Sequence, residues 1–146
     1  MAKRAGIMLL SLSVRIAEEF HSKEEASMPL GDLVPMAKRC GYDAICMRAS
    51  QVGVHSLPEA VDEAVDCLAE TGLAVSMVTG DFDTVYNNEN GPSALKNITP
   101  YLHLAKRLGA PRIRVALKHE SDIANARRAA DEAAEHGIQL VHQCHT

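Results

Sequence analysis

The chain has 146 residues, of which 47% are hydrophobic and 23% are charged. This composition is typical of a soluble globular protein, and the length is enough for one domain with a single core. The net charge of −4 argues against a surface that binds nucleic acid through phosphate contacts. We therefore predict one domain over residues 1–146 and no nucleic-acid partner.

The amino-terminal segment and the cysteines indicate the cellular compartment of the protein. Met1 to Arg4 is basic, but the apolar run behind it, Ile7 to Leu10, is too short to span a membrane or to indicate a signal peptide. The four cysteines show no CxxC spacing, which favours reduced thiols. The sequence therefore predicts a cytoplasmic protein that does not associate with membranes.

Apolar segments suited to buried β-strands recur along the whole chain. The predicted strands are residues 5–16, 43–48, 73–78 and 111–117, followed by a fifth apolar run that begins after Gly137. Each interval between them contains a helical pattern of apolar residues, which gives four predicted helices. The chain is therefore predicted to be an α/β protein built from consecutive βα units.

Prolines, serines and glycines predict the ends of these helices. The first helix is predicted to begin near Pro29, and Pro100 is predicted to kink the third helix or to mark its true start. Ser56, paired with Glu59, predicts an amino-terminal capping box for the second helix, and Ser121 predicts a cap for the fourth. A glycine suited to a left-handed carboxyl-terminal cap follows each helix, at positions 41, 72, 109 and 137.

Repeated βα units predict a parallel sheet with right-handed crossovers, and two architectures use such a series. One is the first part of a (βα)8 TIM barrel that ends after its fifth strand, in which the first and fifth strands both lie at sheet edges. The other is a flavodoxin-like, doubly wound sheet, in which the first strand lies inside the sheet.

Candidate functional residues stand at the carboxyl ends of the predicted strands, where both architectures bind ligands. On the fifth strand, alternation places Gln143 and His145 on one face, and His142 and Cys144 on the other, where we expect them to pack beneath a helix. A compact metal site made by all four is therefore geometrically poor. The chain has no P-loop and no GxGxxG after its first strand, which disfavours nucleotide binding.

Three stretches of the chain resemble the xylose isomerase-like TIM-barrel superfamily. Gly41-Tyr-Asp-Ala-Ile-Cys-Met-Arg48 is similar to the family's second strand. Leu104-Ala-Lys-Arg-Leu-Gly-Ala-Pro-Arg-Ile-Arg-Val115 is similar to its junction between helix 3 and strand 4. Ala133-Ala-Glu-His-Gly-Ile-Gln-Leu-Val-His-Gln-Cys-His145 is similar to its junction between helix 4 and strand 5. The resemblance implies the N-terminal half of such a barrel.

The resemblance also implies an activity, namely isomerisation or epimerisation of a sugar, a sugar phosphate or a sugar acid in carbohydrate metabolism. The family uses a divalent metal (Mn, Mg, Co or Zn) and a proton transfer through an enediolate-type intermediate. Arg48 and His119 would then bind substrate and His145 would be catalytic. Gln143 would be a weak metal ligand in place of the family's glutamate, and Cys46 stands at another glutamate position.

The same resemblance places the remaining family ligands on strands 6 to 8, so we expect the isolated chain to be inactive. Two other interpretations stay open. One is a flavodoxin-like domain that binds a small ligand or a partner. The other is a non-catalytic half-barrel that associates with itself through open sheet edges, since unpaired edges promote association. A homo-oligomer is expected in either case.

Overall fold

The sheet of the protein is parallel, and its strands stand in sequential order. The computed structural model describes residues 10–12, 26, 28–79 and 93–142. The strands are β1 (Ser11–Leu12), β2 (Ala44–Met47), β3 (Ala74–Thr79), β4 (Arg112–Val115) and β5 (Gln139–His142), in the order β1-β2-β3-β4-β5. Because β1 and β5 are the two edges, the sheet is a consecutive part of a TIM barrel, and the flavodoxin-like alternative is wrong.

Five helices are present in the described ranges. They are α1 (Leu30–Arg39), α2 (Pro58–Thr71), α3 (Ser93–Lys96), α4 (Thr99–Arg107) and α5 (Asp122–Glu135). The third predicted helix is divided into α3 and α4, and Pro100 stands in the first turn of α4. N–H groups in a first turn have no acceptor within the helix, so a proline there costs no helical hydrogen bond. Pro100 therefore marks a helix start, as predicted. Within these ranges no helix is long and apolar enough to cross a membrane.

The predicted helix ends are confirmed, and two of the predicted capping hydrogen bonds are absent. All four helix-ending glycines have φ between 64° and 84°, a region that other residues rarely adopt. The capping box at Ser56 is absent, because α2 begins after Leu57 and the Ser56 hydroxyl accepts a hydrogen bond from the N–H of Gly53 at 3.0 Å. Ser121 stands before α5 but makes no capping hydrogen bond through its side chain.

The hydrophobic core lies between the helices and one face of the sheet. Right-handed crossovers between parallel strands in sequential order place all helices on the same side. Fully buried residues at this interface include Val34 and Ala37 of α1, Met47 of β2, Val78 of β3, Ile113 of β4, and Ala129 and Ala133 of α5. The opposite, concave face of the sheet faces the interior of the barrel.

A β-bulge interrupts the pairing of β2 with β3. Ile45 is opposite Val75 and Cys46 is opposite Met77, so Ser76 is an extra residue on β3. The Ser76 hydroxyl donates to the Ile45 carbonyl at 3.1 Å, and it accepts from the hydroxyl of Ser11 on β1 at 2.7 Å. One side chain therefore connects three neighbouring strands across the bulge.

Candidate functional site

Arg48 lies at the carboxyl end of β2, and hydrogen bonds to the following loop and to the end of β3 hold its main chain in place. Its carbonyl accepts hydrogen bonds from the N–H groups of Gln51 at 2.9 Å and Val52 at 3.1 Å. The next N–H, that of Ala49, donates to the hydroxyl of Thr79 at the end of β3, at 2.9 Å. Thr79 is only 3% exposed, and it is the one buried polar side chain in the described part of the chain. These hydrogen bonds therefore fix the main chain from which the half-buried Arg48 side chain extends.

The loop that follows Arg48 is compact. The amide of Gln51 donates to the carbonyl of Met28, just before α1, at 2.9 Å. The imidazole of His55 packs so closely on Gly53 that a Cβ atom at position 53 would lie 2.6 Å from its Cε1. A side chain at position 53 would therefore have to displace the His55 ring, and the shape of the loop is set by contacts with its neighbours.

Lys118 and His119 lie beyond the carboxyl end of β4, which stops at Val115, before the predicted limit at residue 117. The carboxylate of Asp122, in the first turn of α5, accepts hydrogen bonds from both of their N–H groups, at 2.8 and 2.9 Å. Burial alone would raise the pKa of Asp122, but the N–H groups of His119 and Lys118 outweigh it and lower this pKa. Asp122 therefore fixes the backbone from which the exposed His119 side chain extends.

His142, the last residue of β5, connects this strand with the end of β4. Its Nδ1 atom lies 3.3 Å from the carbonyl of Val115, to which it donates in one tautomer, and 3.3 Å from the N–H of Leu117, from which it accepts in the other. The prediction that His142 packs beneath a helix is wrong, since its side chain is exposed. The other predicted residues of this segment, Gln143, Cys144 and His145, lie outside the described residues.

The described part of this rim carries basic residues after two strands and does not form a metal site. Arg48, Lys118 and His119 follow β2 and β4, and parallel strands end at the same edge of the sheet. No group of three or more His, Cys, Asp or Glu side chains that is able to hold a metal occurs in the ranges that the structure describes. The guanidinium group of Arg48 and the ammonium group of Lys118 suit a carboxylate or a phosphate, and the imidazole of His119 suits the oxygens of a polyol.

Sequence reasoning identified Arg48 and His119, but it missed Asp122. The sequence does contain a signal for this role. An Asp three residues after His119, at the start of an alanine-rich helix, is suited to accept hydrogen bonds from the N–H groups of the preceding turn. The prediction gave that role to Ser121, which immediately precedes it.

Comparison with known proteins shows the fold. No protein-family model matches the chain, and no curated protein matches it significantly. A xylose isomerase-like TIM barrel protein from Mycobacterium smegmatis, solved in complex with magnesium, is similar with a TM-score of 0.67 and 19% identity, over 94% of this chain and 55% of that chain. D-allulose 3-epimerase from Methylomonas sp., in complex with D-allulose, is similar with a TM-score of 0.62 and 14% identity, over 92% of this chain and 50% of that chain.

Type I 3-dehydroquinate dehydratase from Clostridium difficile also matches, with a TM-score of 0.55 and 18% identity, over 92% of this chain and 50% of that chain. The chain thus spans about half the length of the solved structures that it matches. Because the same half-barrel occurs in proteins with different names and ligands, a function for this chain has to be argued from its rim.

Proposed function

We propose that this chain, which has the fold of the N-terminal half of a xylose isomerase-like TIM barrel, forms the substrate-binding half of a sugar or sugar-phosphate isomerase or epimerase. The observation that carries this proposal is the pair of fixed backbone positions that present Arg48 and His119 at the carboxyl edge of the sheet. In TIM barrels this edge binds the substrate. The complex of D-allulose 3-epimerase with D-allulose supports a sugar as the ligand class.

In this proposal Arg48 and His119 bind substrate oxygens. A guanidinium group forms paired, charge-assisted hydrogen bonds with a phosphate or carboxylate, and an imidazole binds a hydroxyl or carbonyl oxygen. Isomerisation and epimerisation move a proton next to a carbonyl, and negative charge develops on the carbonyl oxygen. A cation held in place near that oxygen stabilises the charge without having to move during the reaction.

Two further roles stay predictions that come from the resemblance. His145 is the predicted proton carrier, and Gln143 is the predicted weak ligand of a divalent metal. The magnesium complex of the Mycobacterium smegmatis protein supports a divalent metal for this type of barrel. The described rim of this chain does not itself fit a metal, so Arg48 and His119 are assigned to the substrate, and the isolated chain is expected to be inactive.

A second candidate function is a non-catalytic half-barrel that forms a homo-oligomer in the cytoplasm. The observation that favours it is the open sheet of the described residues, in which β1 and β5 are the two edges. Edge strands that no other strand covers promote association. Sedimentation velocity over a range of protein concentrations tests this candidate. It predicts a concentration-dependent dimer, and a monomer at all concentrations would contradict it.

The substrate proposal is tested by titrating the ¹⁵N-labelled chain with D-fructose 6-phosphate and with D-allulose, followed by NMR. We expect saturable shifts around Arg48 and His119, with tighter binding of the phosphorylated sugar. Arg48→Met should weaken binding of the phosphate by about tenfold, because one charge-assisted interaction is lost.

Arg39→Met is the matched control for this titration. It removes the same charge from the last turn of α1, at the opposite edge of the sheet, where β2 begins. Equal weakening of binding by both variants, or shifts that avoid Arg48 and His119, would contradict the proposed site.

A further inference from the structure

Two basic side chains at the carboxyl edge of the sheet are half-buried. Most Lys and Arg side chains in the described ranges are exposed, and the half-buried ones are those of Arg48, Arg114 and Lys118. Arg114 already interacts with another group of the protein. The side chains of Arg48 and Lys118 make no hydrogen bond or ion pair with any residue that the structure describes. Covering part of a cation without an acceptor is costly, so both groups suit an anion that arrives with a ligand.

Asp122 holds the main chain of Lys118 without neutralising its side chain. The carboxylate of Asp122 accepts hydrogen bonds from the N–H groups of Lys118 at 2.8 Å and of His119 at 2.9 Å. The structure shows no ion pair between this carboxylate and the Lys118 ammonium group. The acidic residue that contacts the main chain of Lys118 therefore leaves the ammonium group for a ligand.

Arg48 and Lys118 follow strands that are separated by one other strand. β3 lies between β2 and β4, so the carboxyl ends of β2 and β4 are two strand spacings, about 10 Å, apart. Arg48 is the residue after β2, and Lys118 lies shortly after Val115, the end of β4. A half-buried side chain packs against its own surroundings and so stays near its own strand. The two cations therefore suit two separate anionic groups better than one small anion between them.

We propose that Lys118 is a second anion-binding residue of the substrate site, and that this site takes a sugar with an anionic group at each end, such as a sugar bisphosphate or a phosphorylated sugar acid. Arg48 binds one anionic group and Lys118 binds the other, and the imidazole of His119 is left for a hydroxyl or carbonyl oxygen. This inference rests on the proposed function, because it concerns the same edge of the sheet, and it narrows the class of substrate that this edge selects.

The experiment compares D-fructose 1,6-bisphosphate with D-fructose 6-phosphate by NMR titration of the ¹⁵N-labelled chain at one ionic strength. We expect the bisphosphate to bind about tenfold more tightly, because it makes a second charge-assisted interaction. Lys118→Met should remove this preference and leave binding of the monophosphate unchanged. The variant keeps the N–H that donates to Asp122, so the main chain stays in position. Lys118→Arg should keep most of the preference, because it keeps the positive charge.

Lys96→Met is the matched control, since Lys96 is an exposed lysine at the end of α3 whose carbonyl accepts a hydrogen bond from Arg128 of α5. This variant should keep the preference for the bisphosphate, and an equal loss in Lys96→Met and Lys118→Met overturns the inference. If Lys118→Met weakens both sugars equally, Arg48 and Lys118 share one anion, which also overturns it. Binding of neither sugar by the wild type would contradict the proposed function itself, whereas equal binding of both sugars overturns only the second anion-binding residue.

Discussion

The hydrogen bond between Thr79 and Ala49 should make a measurable contribution to the stability of the protein at the carboxyl ends of β2 and β3. The Ala49 N–H and the Thr79 hydroxyl belong to residues that are 6% and 3% exposed, so water cannot easily replace either partner. Thr79→Val keeps the shape of the side chain and removes the acceptor. A buried N–H left without an acceptor costs about 1–3 kcal/mol, and the added methyl group recovers part of this. We therefore expect Thr79→Val to lower the free energy of unfolding by about 1–2 kcal/mol.

Urea unfolding and amide hydrogen exchange measure this effect together. With a denaturant slope of about 2 kcal/mol/M, the unfolding midpoint of Thr79→Val should fall by about 0.5–1 M. Thr79→Ser keeps the hydroxyl and loses one methyl group, at a cost of about 1 kcal/mol. The two variants are therefore similar in stability, and exchange of the Ala49 N–H separates them: fast in the valine variant and protected in the serine variant.

The same pair of variants tests whether Thr79 positions Arg48. Binding of D-fructose 6-phosphate should weaken in Thr79→Val and be kept in Thr79→Ser, because only the serine variant still holds the main chain after Arg48. A valine variant with wild-type stability and a protected Ala49 N–H would refute the reasoning. Equal loss of sugar binding in both variants would assign Thr79 a role in packing alone.

Two further predictions concern α5. The lowered pKa of Asp122 means that its contribution to stability is fully present above its ordinary pKa of 3.8 and is lost as the pH falls through the lower folded value. Asp122→Asn should therefore cost about 1 kcal/mol at pH 7. The variant should also lose less stability than the wild type between about pH 5 and pH 3. An equal loss in both proteins, measured by urea unfolding across this range, would contradict this prediction. The guanidinium group of Arg128 donates to the carbonyls of Leu95 and Lys96 at the end of α3, at 2.7 and 2.8 Å. Arg128→Ala should cost about 1–2 kcal/mol in thermal unfolding. Both hydrogen bonds come from the single Nη2 atom, which lies one bond farther from the main chain than a lysine nitrogen, so Arg128→Lys should recover only part of this cost. Full recovery would show that the length of the side chain does not matter.

Sequence reasoning predicted the features that depend on short segments. Buried strands and amphipathic helices follow from local periodicity, and a glycine after a helix signals the left-handed position that only glycine adopts easily. Right-handed crossovers between these strands fit both a sequential order and a doubly wound order, so the sequence predicted the elements and their parallel pairing but left two orders open. The edge positions of β1 and β5 in the structure decide between them.

The contacts that fix the rim were not predictable in the same way. Ser56 has the spacing of a capping residue, but its hydroxyl accepts from Gly53 within the preceding loop, and a local pattern cannot rank two such acceptor roles. Thr79 and Ala49 are 30 residues apart, and their hydrogen bond depends on how β3 aligns with β2. That alignment is set by an inserted residue, which hydrophobic patterns do not reveal.

The bulge at Ser76 has a consequence for how the chain tolerates changes in length. A bulge adds one residue to a strand while the pairing on both sides of it stays in register. Val75 stands opposite Ile45 before the bulge, and Val78 stands opposite Met47 after it, so both valines face the helices. Thr79 is aligned with Arg114 on the concave side. Deleting Ser76 would therefore leave Val78 and Thr79 on the faces that they occupy now, because the remaining residues would alternate regularly opposite β2. The deletion would remove the hydroxyl that contacts both Ile45 and Ser11, so we expect relatives that lack this residue to keep the facing of β3 and to lose the connection among the three strands.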